Sequence, residues 1–146
     1  MKMKSLNILL IAIFSFVLTS CAQNSSKKEG DSADTKVVQK KAIVELISAA
    51  DLNSKMGDSI QLIDVRTPKE FAEGYLKGAK LINFFDNDFL DQMSKLDKNK
   101  ELYIYCRSGN RSGQATKKLK TMGFTKIYDL KGGIKSWKRD NLEIIK

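Results

Sequence analysis

From residue 42 onward, short apolar runs alternate with segments whose apolar positions recur at helical spacing. Runs of three to six residues rich in Ile, Leu, Val and Tyr predict strands over 42–47, 60–65, 79–83, 102–105 and 127–129. Between them the spacing predicts helices over 49–56, 68–73, 87–95, 112–122 and 133–139. Ser48 with Asp51 three positions later marks the start of the first helix, and Pro68 suits the first turn of the second. Gly123 stops the fourth. Strands alternating with helices predict an α/β domain, a mainly parallel five-stranded sheet with helices on both faces. Ligands of such folds bind beyond the carboxyl ends of the strands, which is where chemistry is to be sought.

The first forty residues follow a different pattern. Lys2 and Lys4 precede an apolar run over 6–18 and then Thr19, Ser20 and Cys21. Thirteen helical residues span about 20 Å, short of a bilayer's hydrocarbon core of about 30 Å, so a cleaved export signal over 1–21 fits better than a transmembrane anchor. Leu18-Thr19-Ser20-Cys21 resembles the bacterial lipobox, which implies lipidation of Cys21, attachment to a bacterial membrane and a location facing the periplasm or cell surface. Residues 22–41 are polar and without apolar periodicity, as expected of a tether holding the domain of residues 42–146 about 25 Å from a membrane.

Composition narrows the chemistry. The 146 residues include no histidine, which excludes Cys-His and Ser-His catalysis and the usual histidine-bearing zinc sites. With Lys2 and Lys4 removed, 24 cationic and 17 acidic side chains leave a net charge of +7, favouring anionic partners. Nucleic acid is not expected, because the lysines are scattered and lack interleaved aromatic residues. Of two cysteines, one is assigned to lipid, so Cys106 is a lone thiol in a compartment that favours disulfides.

Cys106 ends an apolar strand and opens the turn Arg107-Ser108-Gly109-Asn110-Arg111-Ser112, which leads into a helix. Backbone amides and the positive end of a helix dipole converge there, favouring a thiolate or a bound anion. Arg107 and Arg111 offer charge-assisted contacts to a sulfur oxyanion, Gly109 relaxes the backbone, and the small Ser108 and Ser112 leave room for a substrate. A buried filler cysteine is the bland alternative, but two charges in the next five positions compose a core badly. The expectation is a partly exposed, electropositive thiol.

Four separated segments resemble the rhodanese homology domain of the single-domain thiosulfate sulfurtransferase type. They are Leu62-Ile63-Asp64-Val65-Arg66 with Glu70-Phe71, Gly74-Tyr75-Leu76-Lys77-Gly78-Ala79, Cys106 to Arg111, and Leu130-Lys131-Gly132-Gly133-Ile134 with Trp137. Tyr75 and Lys77 depart from the family's usual histidine and proline. The resemblance implies a three-layer rhodanese-like fold and sulfur transfer through a Cys106 persulfide, from thiosulfate or a similar anionic donor to a thiol or cyanide acceptor. It implies substrate contacts from Arg107, Ser108, Gly109, Asn110, Arg111 and Ser112, a scaffold role for Asp64, Arg66 and Glu70, and no metal or organic cofactor; a monomer is expected, with a dimer not excluded. Trp137, Tyr103, Tyr105 and Phe124 are expected in the core. Competing readings are a phosphatase or arsenate reductase on the same fold, a non-catalytic extracytoplasmic binding module, and a thiol redox protein. Four residues between Cys106 and Arg111 match the sulfurtransferase loop, whereas the phosphatases typically need one more.

Overall fold

The computed structural model describes residues 41–57 and 59–146. The expected signal, Cys21 and nearly all of the tether therefore lie outside the described residues.

Five strands, β1 (Ile43–Ile47), β2 (Gln61–Asp64), β3 (Lys80–Leu81), β4 (Leu102–Tyr105) and β5 (Lys126–Leu130), form one sheet in the order β1-β5-β4-β2-β3. Every pairing between these strands is parallel. The helices are α1 (Ala49–Lys55), α2 (Pro68–Ala72), α3 (Phe89–Ser94), α4 (Asn110–Leu119) and α5 (Gly133–Arg139). This is the α/β sheet with covered faces that the alternating pattern predicts. All four residues of β4 are buried, as a central parallel strand requires. Ile104 and Ile127 pack with Met93 of α3 and with Ala115 and Leu119 of α4. Across the sheet, Tyr103, Tyr105 and Leu130 meet Leu52 of α1 and Ile134 and Trp137 of α5. Trp137, Tyr103, Tyr105 and Phe124 are buried, in line with their expected core role.

Local chemistry sets the boundaries. Ser48 Oγ accepts the Asp51 amide at 3.1 Å and starts α1 as expected. Thr67 and Glu70 exchange side-chain and backbone hydrogen bonds across the first turn of α2, with Pro68 at its entry. Pairing in β3 is shorter than the expected 79–83, because Asn83 folds into a turn: its Nδ2 donates to Asp86 Oδ1 at 2.6 Å and its Oδ1 accepts the Phe85 amide at 3.2 Å. Helix α4 begins at Asn110, two residues before the expected start. Gly109 adopts φ +96° and turns the chain into the helix at once. That early start puts Arg111 in the first turn of α4.

Candidate active site

Cys106 follows β4 directly, at the carboxyl edge of the sheet. Its Sγ accepts the Gly109 amide at 3.1 Å and lies 3.6 Å from the Ser112 hydroxyl, which donates to it. No side chain caps α4; the sulfur instead accepts the amide of Gly109, the residue at which the helix opens. Both contacts turn a hydrogen toward the sulfur. The expectation of a partly exposed thiol is corrected: Cys106 is 1% exposed and packs in the cluster with Val65, Ile104 and Ala115. The loop closes over the sulfur, with Arg107 and Ser108 outermost and exposed.

The other expected loop contacts divide. Ser112 is fully buried against the sulfur rather than leaving open space for a substrate. Asn110 is exposed, and its Oδ1 accepts from Gln114 Nε2 at 2.7 Å. Arg111 does not reach the sulfur with a free guanidinium. Its Nη1 and Nη2 donate to the two oxygens of Glu70, both at 2.6 Å. Arg111 holds the Glu70 carboxyl down at about 2, against an ordinary 4.5. Glu70 thus caps α2 and ties it to α4, so its ion pair belongs to the loop as well as to the scaffold.

Asp64 and Arg66 form the scaffold pair. Arg66 Nη2 donates to Asp64 Oδ2 at 2.6 Å and to the Gly74 carbonyl at 2.8 Å, with both side chains almost wholly buried. Tyr75 stacks on Phe71 with ring centroids 4.1 Å apart, while Lys77 is exposed.

Two features escape the sequence reading. The first amides of α5 bind the loop from behind: Ile134 N donates to the Cys106 carbonyl at 2.9 Å and Lys135 N to the Arg107 carbonyl at 3.1 Å. A Cβ on Gly133 (φ +59°) would fall 2.7 Å from the Arg107 carbonyl carbon and the Ser108 nitrogen, so only glycine allows this approach. The second is Asp129 on β5, 4% exposed, in register with Ile104.

Beside the loop, a cleft of about 500 Å³ is lined by Arg66, Lys69, Glu70, Glu73, Arg107, Ile134, Lys135 and Lys138. Five of these eight are cationic and two acidic, which leaves the cleft with a positive excess.

A rhodanese-like domain model matches residues 48–140, and the chain belongs to the rhodanese-like family. A sulfurtransferase of Allochromatium vinosum is 34% identical over 105 residues, covering 70% of this chain and 96% of its own. The uncharacterized protein YqhL of Bacillus subtilis is 42% identical over 77 residues, covering 53% of this chain, which spans 60% of that protein's length. Among solved structures, a rhodanese-related protein from Thermoplasma volcanium superposes with a TM-score of 0.63 at 29% identity, over 69% of this chain and 97% of its own. The family and its sulfurtransferase-named members support a sulfurtransferase-type function at the family level.

Proposed function

We propose that this protein is a sulfurtransferase that carries sulfane sulfur as a Cys106 persulfide. One observation carries the reading: Cys106 Sγ sits at the carboxyl edge of the sheet with the Gly109 amide aimed at it from 3.1 Å. The Cys106 thiolate attacks the outer sulfur of thiosulfate. A new S–S bond forms, the old one breaks, and its electron pair leaves on sulfite. A thiol or cyanide acceptor then attacks the terminal sulfur and returns the thiolate. The loop amides stabilise the charge on the persulfide, and no metal or organic cofactor takes part.

The cationic cleft supports anionic donors and acceptors. Because Cys106 is 1% exposed, transfer requires the loop side chains to move aside. Arg111 acts in this reading by fixing the loop through Glu70 and by adding positive charge near the sulfur. On the lipobox resemblance, the protein is anchored to a bacterial membrane through Cys21 and works outside the cytoplasm as a monomer, without nucleic acid.

Mass spectrometry after incubation with thiosulfate tests the proposal. The wild type is expected to gain about one sulfur atom, and Cys106→Ser none. A Cys106→Ser variant that still turns over thiosulfate would overturn it. Arg111→Ala is expected to lower thiosulfate use about tenfold and to affect a neutral sulfane donor less. Equal losses on both donors would remove the charge-based role. The phosphatase reading predicts aryl-phosphate hydrolysis, and measuring both substrates separates the two.

A further inference from the structure

Asp129 is buried deep in β5, and its Oδ1 has no hydrogen-bond partner among the described residues. Burying a carboxylate oxygen without a protein partner is costly, so its place beside the loop calls for a reason. Three elements pack against it. In register, β4 presents Ile104 and β1 presents Leu46, while the first turn of α4 presents Ser112 and Gly113. Asp129 Oδ2 reaches the helix here, 3.7 Å from where a Cβ of Gly113 would stand, an ordinary contact distance. None of these four neighbours carries a charge. The titratable group that shares the Ser112 hydroxyl is Cys106, whose Sγ lies 3.6 Å from that oxygen.

A hydroxyl has one proton to donate, yet three acceptors surround this one: the sulfur, the Gly109 carbonyl at 3.3 Å, and the Asp129 carboxylate. We propose that Asp129 is a positioning residue for the sulfur centre, its charge deciding through Ser112 whether Cys106 Sγ has one hydrogen-bond donor or two. When the carboxyl is neutral, its own O–H donates to Ser112 Oγ, and the Ser112 proton turns to the sulfur. When it is ionised, it takes the Ser112 proton, and the sulfur keeps the Gly109 amide alone. Burial pushes the Asp129 carboxyl up to about 6, with only the Ser112 hydroxyl acting the other way, so the change falls near neutral pH. The assignment rests on the reading of Cys106 as the reacting sulfur.

The test is the rate at which iodoacetamide alkylates Cys106 from about pH 4 to about pH 8, in the full chain and its Asp129→Asn variant. It needs no sulfur donor, so it can fail independently of the sulfurtransferase reading. The variant-to-wild-type ratio is expected to be one below about pH 5 and to rise about three- to tenfold above about pH 7. A ratio that is flat with pH, or that falls, overturns the proposal, because altered packing alone acts uniformly. In a Ser112→Ala background the rise is expected to vanish, and its persistence would exclude the shared hydroxyl. On the wild type alone, the carboxyl carbon resonance of Asp129 is expected to titrate with a shifted midpoint once Cys106 is alkylated. An unchanged midpoint overturns the coupling.

Discussion

Replacing Glu70 by glutamine separates the tie between α2 and α4 from everything else in the loop. The variant keeps the shape of the side chain and removes its charge. The displacement of the Glu70 carboxyl from 4.5 to about 2 corresponds to an upper bound of about 3 kcal/mol, at about 1.36 kcal/mol per tenfold. Side-chain exposures of 23% for Glu70 and 18% for Arg111 admit solvent screening, so about 1–2 kcal/mol is expected at neutral pH. The folded value lies below the unfolded one. The contribution is therefore complete above about pH 4.5 and disappears as the pH falls through about 2. Urea denaturation of wild type and Glu70→Gln across that range reads the difference directly. The two stabilities are expected to differ at neutral pH and converge near pH 2. A gap that is absent at neutral pH, or that persists undiminished in acid, refutes the argument.

Gly133→Ala is expected to cost about 2–4 kcal/mol, from its left-handed backbone and the added contact with the loop. Gly57→Ala, where nothing lies within 4 Å of the new methyl, is expected to stay within about 0.5 kcal/mol. Thermal denaturation of both variants checks the pair. Arg66→Ala leaves the fully buried Asp64 carboxylate without its partner and is expected to cost about 3–5 kcal/mol. Double replacement of Asp64 and Arg66 by apolar residues of similar size is expected to recover much of that loss in the same measurement.

The sheet was legible because strand and helix periodicities differ and each of the five runs was bounded by polar punctuation. Boundaries went astray where a side chain rather than periodicity ends an element, as with Asn83 closing β3. They also failed where a glycine starts a helix early, as with Gly109 before α4. The position of Cys106 was legible from its place after an apolar strand. Its burial was not, because the loop's curvature over the sulfur is set by contacts from distant segments. Glu70 lies 41 residues from Arg111, and the Thr67-to-Glu70 capping pattern was the local signal available for it. Gly133 acts through a backbone clash that no periodicity encodes. Asp129 sits in the strand expected over 127–129, where a lone carboxylate beside Ile127, Tyr128 and Leu130 is the available cue.

The carbonyls of Cys106 and Arg107 are already occupied by the amides of Ile134 and Lys135. That occupation fixes the polarity of the turn's two faces: carbonyl oxygens are engaged at the back, and the Gly109 N–H points to the sulfur. Hard divalent ions, which need several free oxygen ligands, find few there. A turn so arranged faces the sulfur with hydrogen rather than oxygen.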